Sequence, residues 1–581
     1  MHMKTSKLII IINVIILILC IPGFIILNNY LSKDNSGIKE PEVTLLPGNN
    51  IKGDNNQSQK DKINENEFEE GVDEVEDEDQ EEDNEIEVEI VPEALPSNHN
   101  FTWDVLKDSA ILENYTSNEF IKFPSYEKYN EIKGVTTFRG NNYRNSASYG
   151  YADVTEEKLE KVWGINIGHL DSWTGVGWNG QPAIVNWDEN LRKKMNLYQE
   201  KKNIDNLKEV IYGTLDGKIY FLDLEDGSYT RDPINVGIPI KGSVTVDPRG
   251  YPLLYSGQGI DVVNGKRVSI GFRIFSLIDQ KLLYFLDGID TTSYRLWGAF
   301  DSNPLIHKES DTLFECGENG FLYSIKLNTN FDEDNAKISI EPDVIKYRYT
   351  SPVNKRLGIE SSIAAYKNYG YFVDNSGTFT CIDLNTLTPV WIRNVTDDTD
   401  STAAIESLGG SNVFIYTANE VDIQGAGGYS YIRKINALSG ELIWEKKYKC
   451  IYNPDIAGGA LGSPVIGKND ISNLVIYTIA KTDMQNRGKL IAFDKETGEE
   501  IWVLDMNFYS WSSPVDVYTK DGKSYIIQCD SGGNMFLIEG STGKVLDQIP
   551  LNANVEGSPA VYDDMIVVGT RGQQIWGIKI K

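Results

Sequence analysis

The chain has 581 residues, five cysteines and a formal net charge of −30. This acidity argues against nucleic acid as a partner, because binding to phosphates depends on positive charge. A chain of this length can bury a large core without cross-links, so four of the cysteines are predicted to be buried small apolar residues, and disulfides are the alternative. The length does not require two globular domains, since all-β architectures can be long.

An apolar segment opens the chain. Leu8 to Leu27 are twenty residues without a charge, which reach roughly 30 Å as a helix. Lys4 and Lys7 precede them and favour an N-terminus in the cytoplasm. Residues 1–28 are therefore predicted to form an uncleaved signal anchor, a single transmembrane helix that holds the rest of the chain outside the cytoplasm at the cell membrane. Cleavage as a signal peptide is the alternative, although no small-residue cleavage site follows.

A long acidic stretch follows this segment. Between Asp61 and Glu93 there are eighteen Asp and Glu residues and a single basic residue, Lys62. Such a segment is too polar and too self-repelling to offset the entropy of ordering. Residues 29–100 are therefore predicted to be a disordered acidic linker, and an arm that captures cations or basic partners is the alternative.

The remainder of the chain has a strand-rich, repeated pattern. Short runs rich in Ile, Val, Tyr and Phe alternate with Gly, Asp and Asn turns, which is typical of β-strands. A small residue, usually followed by Pro, opens a strand before each hairpin. These landmarks are Pro182, Val244, Pro304, Ile363, Ala404, Pro464, Pro514 and Pro559. Eight landmarks, spaced by 41 to 62 residues, predict eight units of about four strands.

Eight such sheets are predicted to pack radially, because a four-stranded sheet cannot bury both faces alone. The predicted fold is an all-β, eight-bladed β-propeller of four-stranded antiparallel blades. The last unit has only about three strands, whereas a strand near Trp163 precedes the first unit without a hairpin. That N-terminal strand is predicted to complete the last blade and close the ring. Residues 101–157 are assigned to a pre-propeller segment that packs on the ring, and residues 158–581 to the propeller.

Tryptophan recurs after the last turn of several units. In "FDKETGEEIW" it is Trp502, and the related positions are Trp163, Trp391 and Trp444. Each such ring buries about 150 to 250 Å². Because the same residue recurs in different blades, these four tryptophans are predicted to dock neighbouring blades rather than to contact a ligand.

The repeat resembles the pyrroloquinoline-quinone-type (PQQ-type) propeller repeat of quinoprotein alcohol dehydrogenases and BamB-like assembly lipoproteins. The residues that carry the resemblance are Ala492, Asp494, Thr497, Gly498 and Trp502. The segment "TTFRGNNYRNSASYG", residues 136–150, is also similar to one that often precedes the first blade in this family. The resemblance covers roughly residues 136–581 and implies the fold, whereas the family contains both enzymes and non-enzymatic scaffolds.

The residues just before each inner strand are expected to surround the mouth of the central channel. The predicted binding residues are Asn179, Lys241, Asp301, Glu360, Ser401, Trp511 and Glu556, together with Trp297. Trp178, Arg356 and Tyr509 lie next to them in sequence and add aromatic and cationic character. Such a mixture can stack on a sugar or clamp a peptide side chain, and the alternative is a solvated rim of turn residues.

Metal binding is not expected from the sequence. Asp301, Glu360 and Glu556 could together hold Ca²⁺, but Glu556 belongs to a blade far around the ring from the other two. The acidic stretch "NVTDDTDST", residues 394–402, lacks the Gly and the distal Glu of an EF-hand loop and is predicted to be a turn.

The favoured function is a membrane-anchored extracytoplasmic scaffold or assembly factor without enzymatic activity, which binds an envelope protein or polysaccharide. The resemblance implies an adjacent-cysteine disulfide in quinoprotein dehydrogenases and a CxxCH haem motif in some of them, and this chain has neither. No cofactor is predicted, neither pyrroloquinoline quinone nor calcium. A quinone- or calcium-dependent oxidoreductase is the alternative.

Overall fold

The computed structural model describes residues 43–45 and 88–581, apart from residues 179, 353–355 and 455. The predicted membrane anchor and most of the predicted acidic linker lie outside the described residues. Within the described part of the chain, no helix is both long enough and apolar enough to cross a bilayer.

Eight antiparallel sheets follow one another in the described chain, and the predicted all-β, eight-bladed propeller is confirmed. Strands are given from the inner to the outer edge of each blade. Blade 1 has Ala183–Asn186, Lys208–Gly213, Lys218–Asp223 and Ile234–Asn235, and blade 2 has Thr245–Val246, Leu253–Ser256, Gly271–Ser276 and Leu282–Asp287. Blade 3 has Leu305–His307, Thr312–Cys316, Leu322–Lys326 and Asp343–Thr350, and blade 4 has Ala364–Tyr366, Tyr369–Val373, Thr378–Asp383 and Thr388–Asn394. Blade 5 has Ala404–Ser407, Val413–Ala418, Tyr429–Asn436 and Leu442–Lys449, and blade 6 has Val465–Ile466, Leu474–Ala480, Gly488–Asp494 and Glu500–Met506. Blade 7 has Val515–Tyr518, Ser524–Cys529, Asn534–Glu539 and Val545–Pro550, and blade 8 has Ala560–Tyr562, Met565–Thr570, Gln574–Ile580 and Leu159–Asn166.

Shorter elements surround these blades. Thr102–Lys107 and Ala110–Leu112 extend blade 3 outward, and Val43–Leu45 pairs with the outer strand of blade 6. Small ribbons are formed by His169–Leu170 with Trp173–Thr174, Val262–Val263 with Lys266–Arg267, Asn330–Asp332 with Lys337–Ser339, and Glu420–Val421 with Gly458–Gly459. The helical turns are Glu189–Lys194 and Gln199–Lys202, with 3₁₀ turns at Pro92–Ala94, Pro96–His99, Tyr126–Lys128 and Asn469–Ile471.

Strands from opposite ends of the chain meet in blade 8. Leu159–Asn166 pairs antiparallel with Gln574–Ile580, from Gln574 opposite Asn166 to Ile580 opposite Leu159. The N-terminal strand is thus the outer strand of a blade whose other strands come from the C-terminus.

The pattern of burial explains why strands of this composition stack face to face. Central strands such as Leu474–Ala480 are buried at every residue, because a blade is covered on both faces by its neighbours. Outer strands such as Leu442–Lys449 are mostly exposed or half-buried, and Trp444 is the one buried residue of that strand. Apolar clusters accordingly span adjacent blades, as where Val465 and Trp502 of blade 6 pack with Ile526 of blade 7.

Tryptophan joins four pairs of blades. Each indole N–H donates to a carbonyl in the turn of the following blade: Trp163 to Leu224 at 2.8 Å, Trp391 to Ala437 at 2.7 Å, Trp444 to Lys495 at 2.9 Å and Trp502 to Gly540 at 3.0 Å. The ring lies against a glycine of the same turn, and a Cβ on Gly543 would come within 2.5 Å of Trp502. The Thr-Gly turn of the repeat therefore packs against the tryptophan of the preceding blade.

Residues 133–149, here called the plug, fill the centre of the ring. The plug begins with Lys133–Val135 beside the inner strand of blade 1 and ends with Ser148–Tyr149 beside that of blade 8. Its carbonyls accept N–H groups of four inner strands: Thr136 from Val246, Asn142 from Ala365, Tyr143 from Ile405 and Ala147 from Val561. Two buried arginines reach the remaining blades. Arg144 donates to Asn303 O at 2.7 Å, and Arg139 donates to Pro464 O at 2.6 Å and Pro514 O at 2.7 Å. The plug therefore contacts all eight blades.

Packing on the ring starts within the segment predicted to be the linker. Val91 N donates to Ser439 O, and Ala94 is fully buried against blades 4 and 5. A short apolar sequence, "IVPEAL", follows the acidic run here, and its small alanine fits against the turn glycine Gly440.

Candidate binding site at the channel mouth

A ring of hydroxyl groups frames the mouth of the central channel. In six blades, the residue two positions before the inner strand donates its backbone N–H to a Ser or Thr hydroxyl of the next blade. The contacts are Gln181 to Ser243, Asn303 to Ser362, Ser362 to Thr402, Thr402 to Ser463, Ser463 to Ser513 and Ser513 to Ser558, at 2.8 to 3.1 Å. The small residue that recurs before each landmark is thus a hydrogen-bonding joint between blades.

The mouth narrows to a small cavity of about 30 Å³. The plug forms its floor through Phe138, and Trp178 forms part of its wall. Asp301, Glu360 and Asp400 also line it. The centre of the ring therefore holds a small pocket whose floor is the plug.

Aromatic rings occupy one side of the mouth. The ring centroids of Trp178 and Trp511 are 6.4 Å apart, those of Trp173 and Trp178 are 6.1 Å apart, and those of Tyr509 and Trp511 are 5.7 Å apart. Trp178 and Tyr509 are half-buried, whereas Trp511 is buried. The indole N–H of Trp511 has no hydrogen-bond partner among the described residues, so one donor of this aromatic wall is free.

Carboxyl groups occupy the opposite side and form two groups. In the first triad, one oxygen each of Asp301, Glu318 and Glu360 lies within 4.8 Å of the others. Trp297 donates to Glu318 Oε2 at 2.8 Å, and Asn375 donates to Glu360 Oε1 at 2.5 Å. Both oxygens of Asp301 and Oε1 of Glu318 lack a hydrogen-bond partner among the described residues.

Two cations partly offset the charge of the first triad. Lys241 Nζ lies 3.3 Å from Asp301 Oδ2, an ion pair without hydrogen-bond geometry, and 4.3 Å from the centre of the Trp178 ring. Arg295 Nη2 lies 3.7 Å from Glu318 Oε2. Lys241 therefore bridges the aromatic and the acidic sides of the mouth.

The second triad consists of Asp398, Asp400 and Glu420, whose oxygens also approach within 4.8 Å. One oxygen of each residue lacks a hydrogen-bond partner in the described structure: Asp398 Oδ1, Asp400 Oδ1 and Glu420 Oε1. Arg356 Nη1 lies 3.3 Å from the other oxygen of Asp398. The second triad thus has one cation for three carboxyl groups.

Burial and mutual repulsion disfavour the charged forms of these acids. Burial raises the pKa of Asp301 to about 6, although Lys241 opposes the shift. Burial, followed by repulsion from Glu360 and Asp301, raises the pKa of Glu318 well above its usual range. Burial disfavours the Lys241 ammonium, but the neighbouring carboxylates outweigh burial and raise its pKa. The mouth therefore favours a bound cation or bound protons.

The other predicted site residues fall in different surroundings. Asn179 lies outside the described residues. Ser401 is fully buried and donates to Gly462 O at 3.1 Å, so it joins blades 5 and 6 and does not reach the mouth cavity. Glu556 accepts from Asn554 at 2.8 Å and from Arg571 at 3.0 Å and belongs to neither triad. The predicted mouth therefore contributes Lys241, Asp301, Glu360, Trp297 and Trp511 to the site.

Sequence reasoning missed Glu318 and Glu420, and it assigned Asp400 only to a turn. Glu318 and Glu420 come two residues after the second strands of blades 3 and 5. Because adjacent strands are antiparallel, the end of a second strand lies at the same rim as the start of the inner strand. The turn after each second strand was therefore a usable signal for finding mouth residues.

The described cysteines, Cys316, Cys381, Cys450 and Cys529, are all buried and free. The predicted burial is therefore confirmed for these four, whereas Cys20 lies outside the described residues.

Parts of this chain are similar to known proteins. Residues 486–581 match the family model described as "Outer membrane protein assembly factor BamB". A curated protein of that name from Kangiella koreensis is 28% identical over 89 residues, which are 15% of this chain and 22% of the relative. The matched part thus spans about a fifth of that relative's length.

Solved structures with a similar fold include BamB from Moraxella catarrhalis, at 13% identity and a TM-score of 0.46 over 73% of this chain and 98% of that one. A quinohemoprotein alcohol dehydrogenase from Pseudomonas putida HK5 has 12% identity and a TM-score of 0.49 over 77% of this chain and 80% of that one.

Proposed function

Because this chain is a propeller protein with the PQQ-like repeat, we propose that it is a binding scaffold without enzymatic activity that takes a protein partner at the channel mouth. The match of blades 6 to 8 to the assembly-factor family model supports a scaffold of this type. The proposal includes an extracytoplasmic propeller anchored at the cell membrane, for which the support is the uncharged segment Leu8 to Leu27.

The observation that carries the proposal is the pairing of an aromatic wall with an acidic wall across the mouth. A Lys or Arg side chain can lie against Trp178 and Trp511 through cation–π contact and reach the first triad through charge-assisted hydrogen bonds. Lys241 already makes a cation–π contact with Trp178 and an ion pair with Asp301 from within the protein. The preferred ligand is therefore a cationic segment of a protein, whereas a neutral polysaccharide would leave the buried negative charge uncompensated.

Site-directed photocrosslinking tests this assignment. The half-buried Tyr509 is replaced by p-benzoylphenylalanine, which keeps an aromatic ring at the mouth. The matched control carries the same group at Leu282, 49% exposed on the outer strand of blade 2. We expect crosslinks from position 509 to a partner segment that contains Lys or Arg, identified by mass spectrometry.

A second variant links the crosslink to charge. Glu360→Gln removes one carboxylate of the first triad and should lower the yield at position 509 by at least about fivefold, corresponding to about 1 kcal/mol. Equal crosslinking from positions 509 and 282, or a product that is a saccharide, would contradict a peptide site at the mouth.

The enzymatic alternative has its own test. The purified chain is supplied with pyrroloquinoline quinone and Ca²⁺ and assayed for reduction of a redox dye with alcohols and sugars. Dye reduction that depends on the quinone would refute the scaffold function and support an oxidoreductase instead.

Protease treatment of intact cells tests the location. Digestion of the propeller in intact cells is expected if it lies outside the cytoplasm, and protection until lysis would refute that part of the proposal.

A further inference from the structure

The stretch "NVTDDTDST" does more than connect blades 4 and 5. Asp397 accepts the backbone N–H groups of Asp422, Ile423 and Gln424 at 2.7 to 3.1 Å. These bonds fasten the loop that follows the second strand of blade 5 to the segment that precedes its inner strand. Glu420 is held just before that loop, opposite Asp398 and Asp400.

The three carboxyl groups of the second triad face one another inside the protein. Glu420 is 5% exposed and the side chain of Asp398 is 11% exposed. Asp398 Oδ1, Asp400 Oδ1 and Glu420 Oε1 have no donor among the described residues. Buried carboxylate oxygens at such distances repel one another unless a proton or a cation lies between them.

The cationic side chains nearby do not meet this need. Arg356 pairs with Asp398 and also with Asp422, and its side chain is 44% exposed. Lys241 and Arg295 pair with members of the first triad. Among the described residues, no Lys or Arg forms an ion pair with Asp400 or Glu420.

We propose that Asp398, Asp400 and Glu420 bind one calcium ion. Carboxylate oxygens are the ligands of hard cations, and Ca²⁺ accepts six to eight oxygens in flexible geometry. Three carboxylates from one short segment and one adjacent loop provide up to six such oxygens. Burial, followed by repulsion from neighbouring acids, raises the pKa of all three groups when no cation is bound. The ion replaces the missing donors and holds the loop of residues 420–424 against blade 5.

Calorimetric titration of the full chain, stripped with a chelator, tests the site. We expect one Ca²⁺ per chain, and a melting temperature that rises with added Ca²⁺. Asp400→Asn and Glu420→Gln should each weaken binding at least tenfold, because calcium affinity follows the number of charged ligands. Both variants should fold without calcium, since each removes a buried charge that has no donor.

The first triad provides the matched control. Glu318→Gln removes one charge from the first triad, where its repulsion comes chiefly from Glu360 and Asp301, and leaves the three proposed ligands intact. This variant should bind one Ca²⁺ with affinity within about threefold of the unchanged chain. Absence of calcium binding by the unchanged chain would show that the carboxyl groups share protons instead. Loss of binding in Glu318→Gln, with retention in Asp400→Asn and Glu420→Gln, would place the ion in the first triad. Tighter binding of Mg²⁺ than of Ca²⁺ would overturn the choice of ion.

Discussion

Two buried charged regions meet at the centre of the ring, and they are satisfied to different degrees. The guanidinium groups of the plug donate to main-chain carbonyls of several blades, and Arg139 and Arg144 are both fully buried. The carboxyl groups of the two triads lie beside the plug floor, yet several of their oxygens have no donor among the described residues.

This difference in hydrogen bonding indicates that the plug arginines stabilise the fold, whereas the acids of the two triads are available to bind a ligand. Burial lowers the pKa of Arg139 and Arg144 to about 10, so both remain charged at neutral pH while the carbonyl oxygens solvate them. Fewer donors reach the acids, and burial raises the pKa values of Asp301, Glu318, Asp398, Asp400 and Glu420 above their ordinary range. Removing a plug arginine should therefore damage the fold, whereas neutralising a mouth acid should not.

The largest effect is expected for Arg144→Ala. Arg144 donates to the carbonyls of Phe138, Asn303, Pro304 and Ile363. Leaving buried acceptors without a donor costs about 1–3 kcal/mol each, so the free energy of unfolding should fall by at least about 5 kcal/mol. Denaturant unfolding measures this loss, and Arg144→Lys should not restore it because an ammonium lacks the planar fork. An unchanged melting temperature in Arg144→Ala would show that the plug does not stabilise the fold.

Trp502→Ala should have the next largest effect, outside the channel. Its ring is fully buried between blades 6 and 7, and truncation of such a residue costs about 3–5 kcal/mol. Trp502→Phe, which keeps most of the packing and loses the bond to Gly540, should lose about 1–2 kcal/mol. Crosslinking from position 509 should survive both changes below the melting temperature. Loss of crosslinking in a folded Trp502→Phe protein would show that the joints and the mouth are coupled.

Glu315→Gln tests a buried acid that lies near Arg144 of the plug. Glu315 is fully buried, accepts from Ser302 at 2.8 Å and lies near Arg144, and burial raises its pKa to about 8. Between pH 4.5 and 8 the folded protein holds a proton that the unfolded chain has released, so this residue lowers stability as pH rises through that window. The substitution should remove this dependence and add about 1–3 kcal/mol at pH 7. Melting temperatures from pH 5 to pH 8 measure it, and parallel profiles would refute the shift.

Glu318→Gln should cause no loss of stability. The amide oxygen can still accept from Trp297, and the neutral side chain removes the repulsion from Asp301 and Glu360. Because burial raises the pKa of Glu318 well above its usual range, the free energy of unfolding at pH 7 should rise rather than fall. If the free energy of unfolding fell as much as in Arg144→Ala, measured in the same denaturant series, the mouth acids would be as important for stability as the plug arginines.

The blades were predictable because their residues repeat. Eight landmarks and the recurrent turn identified the number and order of the sheets, since each blade meets the same packing requirement as its neighbours. The tryptophans could be assigned to joints for the same reason, and the structure places Trp163, Trp391, Trp444 and Trp502 between blades.

The mouth and the plug depend on contacts that do not repeat. Glu318 and Glu420 become neighbours of other acids only once blades 3 to 5 are arranged around the axis. Residue type alone is not decisive, since Asp216, at the related turn of blade 1, is satisfied by Thr214 and Tyr220. The plug has no periodicity, and its arginines bind carbonyls, which leave no pattern in the sequence.

The order in which the chain is made gives the plug a further consequence. Residues 133–149 leave the ribosome before any inner strand of the ring exists, and their last partners, beside Val561, are made more than 400 residues later. Arg139, whose acceptors are Pro464 and Pro514, therefore stays hydrated until blades 6 and 7 are made, and the strand Leu159–Asn166 waits longer still for Gln574–Ile580. Such distant pairings are slow to form because a long loop must first close. We therefore expect the last contacts of the plug and the pairing within blade 8 to form late, and a chain that stops before blade 8 should be prone to misassembly.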